Sequence, residues 1–196
     1  MKELVWKQLE ESIASLQAVR DDAHIAEAVI RAGELIASAM KNGRKLMVAG
    51  NGGSAAEAQH IAAEFVSRLT VDRPAMRAIA LTTDTSILTA IGNDYSYDNV
   101  FERQVEALGQ KGDVFLGIST SGNSANVLKA LRLCRQMGIT TVGYMGNGGG
   151  KMAELCDVPV VVPSKITMKI QECHTALVHI LCMVVERVYF GADFGS

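Results

Sequence analysis

The sequence predicts an α/β protein: a doubly wound parallel sheet of five strands, with two helices before it and one long helix after it. Beyond Gly43, short β-rich runs alternate with helical patterns, which is the signature of a parallel sheet. Before Gly43, apolar residues recur at helical spacing with no strand-like run. Two of the strand-to-helix turns are rich in glycine, serine and threonine, as befits the end of such a sheet that takes a ligand.

In residues 1–42, Leu4, Leu9, Ile13 and Leu16 and then Ile25, Val29, Ile30, Leu35 and Ile36 fall on helical faces. Asp21 and Asp22 lie between the two sets as cap candidates, so a helical pair is expected here. Strands are expected at 45–49, 77–82, 114–119, 140–144 and 158–162. Helices are expected at 54–69, 85–91, 98–108, 124–137 and 166–190.

A length of 196 residues suits one domain, 1–196, with one site. A formal charge of −2 offers no basic field for nucleic acid or an anionic membrane, so an anionic ligand must be held locally. Cys134, Cys156, Cys173 and Cys182 form neither a CxxC pair nor a disulfide framework, and read as reduced thiols. The first residues mix charges with apolar side chains, unlike a secretory signal, and a cytoplasmic location is expected. The apolar run 176–185 is too short to span a bilayer and reads as a buried helix, or one buried against another subunit.

The first strand runs out through Gly50-Asn51-Gly52-Gly53-Ser54 straight into a helix, an anion-friendly turn where backbone can approach a ligand closely. It does not fit the dinucleotide pattern GxGxxG; the plain alternative is a tight connection. The third strand empties into Ser119-Thr120-Ser121-Gly122-Asn123-Ser124, with four hydroxyls and Ser124 placed to cap the next helix. Without the GK[ST] ending of a Walker loop, this cup suits a sugar phosphate better than a nucleoside triphosphate; the plain alternative is a polar loop. Asn93 and Asp94, after Gly92, either bond sugar hydroxyls or only form a turn. Gly146 to Gly150 reads as a flexible turn, with Lys151 in solvent.

His60 and Glu64 stand one helical turn apart on one face, either as a surface pair or as a zinc or acid–base pair. The last helix adds Gln171, Glu172, His174 and His179. His179 sits in an apolar run and calls for a hydrogen-bond partner, a metal or a subunit contact. Gln171 and His179 are roughly 12 Å apart along the axis, so a site using both is expected at a subunit interface.

Four segments, GNGGSAAEAQHIAAEF from Gly50, ALTTDTSILTAIGNDY from Ala80, GISTSGNSANVLKAL from Gly117 and IQECHTALVHIL from Ile170, together make the chain resemble the SIS-domain phosphoheptose isomerases over nearly its whole length. The resemblance implies a flavodoxin-like sheet, a homotetramer that uses the helical pair of residues 1–42, and conversion of sedoheptulose 7-phosphate to D-glycero-D-manno-heptose 7-phosphate, the entry to the ADP- or GDP-heptoses of lipopolysaccharide core or related glycans. It implies that Asn51, Gly52, Gly53, Asn93 and Asp94 contact substrate and that Ser119, Thr120, Ser121 and Ser124 take the phosphate. It places His60, Glu64, Gln171 and His179 on the positions that hold zinc, one ion per subunit, with Glu64 and His179 also as the acid–base pair and Gln171 and Glu64 also touching substrate.

One position departs from the family pattern: Met168-Lys169 stands where an acidic or small residue and then arginine are common. Lys169 keeps the charge but not the planar fork. Relatives that bind the replication initiator without catalysis typically lack the helix glutamate, so Glu64 and His179 favour an enzyme. An isomerase for another sugar phosphate is the remaining alternative.

Overall fold

The computed structural model describes residues 1–191, 193 and 194. Helices α1 (Lys2–Asp21) and α2 (Ala23–Lys41) break at Asp22, whose extended backbone lets its carboxylate accept the His24 amide hydrogen and cap α2. There follow β1 (Leu46–Gly50), α3 (Gly53–Val66), β2 (Ala78–Ala80), α4 (Thr85–Asp94), a 3₁₀ turn (Tyr97–Asn99) and α5 (Glu102–Leu108). The chain continues through β3 (Val114–Ser119), α6 (Ala125–Met137), β4 (Thr140–Met145), a 3₁₀ turn (Asn147–Met152), β5 (Val158–Val161) and α7 (Thr167–Phe190).

The sheet is parallel throughout, in the order β2-β1-β3-β4-β5, so Val48 lies between Ala80 and Leu116, and Tyr144 between Ile118 and Val160. This is the flavodoxin-like order. Side chains alternate across it. Leu46, Val48, Leu116, Ile118, Val142 and Tyr144 face a core shared with α2, α3 and α7, while Met47, Ala49, Phe115 and Met145 face α5 and α6. Burial of each large apolar side chain contributes about 1.5–3 kcal/mol.

Helix α7 is long and apolar enough by composition to cross a membrane, yet Ile170, Val178, Leu181 and Val185 belong to the sheet core and Lys169, His174 and Glu186 are buried with them. The pattern matches that of a core helix.

Besides shifts of a residue or two at strand ends and α4 running on to Asp94 rather than 91, three departures from expectation stand out. Helix α3 stops at Val66 rather than 69, because the Arg73 guanidinium takes up the Glu64 and Phe65 carbonyls and diverts the chain. The expected helix at 98–108 is split at Val100 and Phe101, which plunge fully into the core. Residues 146–150 are no loose turn: they join a 3₁₀ segment whose Gly149 is buried.

Candidate active site

In this strand order the chain leaves β1 toward β2 and leaves β3 toward β4, in opposite directions across the sheet. The two turns therefore diverge and open a crevice above the carboxyl ends of the strands. The turns are the two glycine- and hydroxyl-rich loops. They are stitched together: Asn51 and Asn126 exchange two amide hydrogen bonds of 2.9 Å, and the Tyr97 hydroxyl donates to Asn51 Oδ1 at 3.1 Å. Sequence reasoning missed Asn126 and Tyr97, which reveal themselves only through this long-range pairing.

In the second loop the Ser119 hydroxyl shares hydrogen bonds with Ser124 (2.8 Å) and Ser121 (3.4 Å). Ser124 occupies the N-cap position of α6, but its hydroxyl turns to Ser119 instead of capping the helix, a correction to the expected role. The first-turn amides of α6 thus carry no cap from Ser124, although the Val127 amide donates to Asn126 Oδ1 (2.9 Å), and the positive end of the helix dipole stands behind the loop. Beneath the loop lies the 146–152 segment. The Thr120 carbonyl accepts from the Gly146 amide (3.1 Å) and Asn147 Nδ2 (3.1 Å), and the Gly122 carbonyl accepts from the Met152 amide (3.0 Å). Lys151 is exposed as expected, while its amide donates to Asn123 Oδ1. The segment buttresses the loop, a role its composition alone did not suggest.

Helices α3 and α7 bring the chemistry together. His60 Nε2 lies 3.1 Å from Glu64 Oε1 and 3.2 Å from His179 Nε2, with the two imidazole rings edge to face. Pairs four apart on α3 share a face, and side chains lean toward the helix amino terminus, which carries the Glu64 carboxylate back onto His60. These three assemble within one chain, so for them no partner subunit is needed. Gln171 sits two turns earlier on α7, where its amide fills the space a Cβ on Gly53 would take, 2.5 Å from Nε2. Between the two, Thr175 donates to Glu57 Oε2 at 3.1 Å. Glu57 Oε1 is buried without a hydrogen-bond partner among the described residues and lies 4.0 Å from His60 Nδ1. Glu57 was missed from the sequence, although its spacing of three before His60 places it on the same face.

Asn93 and Asp94 are the exposed last residues of α4, and Asn93 Nδ2 donates to Asp94 Oδ1; the structure does not bring them onto the two loops. His174 points into the core beside Tyr144, and burial pulls its pKa down to about 4. Cys182 is also buried; desolvation first, then the Glu64 and Glu186 carboxylates, hold it well above the ordinary thiol range and keep it a neutral thiol. Lys169 is buried and donates to the Gln8 carbonyl (3.0 Å), Ser12 Oγ (2.7 Å) and Glu172 Oε1 (3.3 Å). Its charge is spent on docking α1, and Met168 beside it is exposed.

The donor atoms of His60, Glu64 and His179 all lie within 4.8 Å of one another. Two imidazole nitrogens and a carboxylate at these separations match zinc chemistry, since ligands about 2.0–2.1 Å from a tetrahedral ion stand about 3.3 Å apart. His60 Nε2 faces both other donors at once, and one hydrogen cannot serve two such contacts as a cation does. The residues fit the ion.

A parallel sheet with anion-receptive loops at its switch point and a histidine–carboxylate–histidine set beside them is the layout of an α/β enzyme acting on a phosphorylated ligand. The SIS domain family profile matches residues 9–146. The chain is 55% identical to phosphoheptose isomerase 2 of Campylobacter jejuni, over 94% of this chain and 92% of the relative. It is 50% identical to the phosphoheptose isomerase of Aneurinibacillus thermoaerophilus, over 100% of this chain and 99% of the relative. The structure of the phosphoheptose isomerase of Neisseria gonorrhoeae superposes with a TM-score of 0.89 at 43% identity, covering 94% of this chain and 98% of that one. The chain belongs to the phosphoheptose isomerases of the SIS-domain family.

Proposed function

We propose that the chain is an aldose–ketose isomerase converting sedoheptulose 7-phosphate to D-glycero-D-manno-heptose 7-phosphate through an enediol. The observation that carries this reading is the convergence of Glu64, His60 and His179 beside two anion-receptive loops. The Ser119, Thr120, Ser121 and Ser124 hydroxyls and the α6 amino terminus hold the phosphate. Asn51, Gly52, Gly53 and Gln171 line the path from there to His179; Asn93 and Asp94, which lie off the two loops at the end of α4, are left out of this set. With the phosphate anchored, the open chain of the sugar reaches the α3–α7 seam. The Glu64 carboxylate removes a C1 proton as His179 delivers one to the C2 oxygen, giving the enediol. His179 then takes the proton from the C1 oxygen while Glu64 returns its proton to C2, and the aldehyde forms at C1.

His60, Glu64 and His179, with Gln171 as a fourth ligand, are the residues that would hold zinc. A bound zinc ion supplies Lewis acidity toward the sugar's carbonyl oxygen. The reading places the enzyme in the cytoplasm, feeding the heptoses of lipopolysaccharide core or a related glycan.

It also makes the enzyme a homotetramer that uses residues 1–42. Leu4, Val5, Trp6, Leu9 and Ile13 form an exposed apolar row on α1, and an apolar groove of about 480 Å³ runs between α1, α2 and α7 past Leu16, Ile30 and Ile180. Incubating the protein with sedoheptulose 7-phosphate, with and without a chelator, tests the reading. Aldose heptose should form, and slow when the metal is stripped. Turnover of a pentose or hexosamine phosphate in its place would redirect the assignment, and no turnover of any of them would favour a binding protein.

A further inference from the structure

We propose that Arg73 and Glu186 form a buried clamp that positions the His60–Glu64–His179 set, acting on turnover and on metal affinity rather than on folding alone. The inference rests on the isomerase reading.

Arg73 lies past the end of α3. Its Nη2 donates to the Glu64 carbonyl (2.7 Å), and its Nη1 donates to the carbonyls of Phe65 (2.7 Å), Ser67 (3.3 Å) and Pro74 (3.2 Å). Its Nε donates to Glu186 Oε1 on α7 at 2.7 Å. The two side chains are only 1% and 4% exposed. The guanidinium thus occupies the carbonyl-rich carboxyl end of α3, where a cation is favoured, and takes up carbonyls that the helix itself leaves unpaired.

The pair is also the last rung of a ladder joining α3 to α7. Gly53 meets Gln171, Glu57 meets Thr175, His60 meets His179, and then Arg73, bound to the Glu64 backbone, meets Glu186. Each of the first rungs is a single contact, which leaves the direction between the helices free. The last rung does not, because a planar fork with fixed donors sets both distance and direction between the Glu64 main chain and α7. Glu186 follows His179 by about two turns of unbroken helix, so a displacement at the clamp is passed rigidly to the imidazole. Stability alone is a poor reason to keep such a pair, since apolar residues of similar size fill a buried site about as well. What it supplies is alignment of a carboxylate on one helix with an imidazole on another.

The test uses the full chain carrying Arg73→Met together with Glu186→Leu, which removes both charges and leaves a packed apolar contact. Steady-state kinetics on sedoheptulose 7-phosphate and a Co²⁺ titration followed by the d–d absorption band are the readouts, with urea unfolding alongside. The clamp predicts kcat lower by about 10–100-fold, the scale of a 1 Å misplacement, with KM changed by less than about threefold. It also predicts weaker Co²⁺ binding with an altered band; the urea midpoint falls as the α3 carbonyls lose their donor, so both readouts are taken without urea, where the variant is fully folded. A folded double variant with wild-type kcat and cobalt band overturns it. If the double variant does not fold, Glu186→Gln, which keeps the side chain's size, is judged by the same criteria. A wild-type protein inactive on the heptose would refute the isomerase reading, and the cobalt arm would still decide the clamp.

Discussion

Gly122 offers a sharp test of how the phosphate loop is held. Its φ is +65°, and a Cβ there would sit 2.0 Å from the Gly149 carbonyl oxygen and 2.5 Å from its carbon. Both are backbone atoms of the buttressing segment and cannot rotate away. To reach an ordinary contact the two loops must part by more than about 1 Å. Gly122→Ala therefore carries about 1–2 kcal/mol for the left-handed backbone and about 1–3 kcal/mol for overpacking. The separation also moves Thr120 and Ser121, because the 146–152 segment holds the Thr120 carbonyl and the Gly122 carbonyl. Inorganic phosphate should bind at least about tenfold more weakly and kcat/KM should fall by about 100-fold. Gly148→Ala is the control: its φ of +73° brings similar backbone strain, but a Cβ there meets nothing within 4 Å. Calorimetric phosphate binding and kinetics on both variants decide the matter. Phosphate affinity unchanged in Gly122→Ala, or equally reduced in Gly148→Ala, would refute the buttress.

Two further outcomes follow from buried polar groups. The pKa of His174 is lowered by burial from 6.5 to about 4, so below pH 6.5 the unfolded chain binds a proton that the folded chain does not. The contribution is present in full above pH 6.5 and is lost as pH falls toward 4, about 3 kcal/mol in all. Urea unfolding between pH 8 and pH 4 should show a smaller loss for His174→Gln than for the wild type, and equal slopes would contradict the assignment. Lys169→Met removes the buried contacts to Gln8 and Ser12 that dock α1, a helix with no buried residue of its own. Hydrogen exchange in residues 2–21 should quicken by at least about tenfold, matching a charged hydrogen-bond loss of about 1.5–3 kcal/mol, while the strands stay protected; unchanged protection of α1 would count against it.

Local pattern carried much of this structure. The alternation of β-rich runs with helical spacing predicts the five strands, and the flanking glycine and hydroxyl residues mark the loops at the switch point, because both signals lie within a few residues of chain. His60 and Glu64 were legible as a pair for the same reason. Arg73 and Glu186 were not: 113 residues separate them, and nothing in either neighbourhood announces the other. Gly149 was misread as part of a flexible turn because its reason lies in Gly122, packed against it from another strand's loop. The fate of Lys169 likewise depends on α1, far away in sequence. What escaped is tertiary pairing, which periodicity does not encode.

Solvent exchange at the reacting carbon addresses the chemistry itself. In D₂O the wild-type protein should place deuterium on C1 of sedoheptulose 7-phosphate, since the proton lifted by the carboxylate exchanges with solvent during the lifetime of the enediol before one is returned to carbon. Glu64→Gln should still bind the sugar phosphate but lose exchange and turnover by about 10²–10⁴-fold. Exchange in that variant within about tenfold of wild type would show that another group takes the proton.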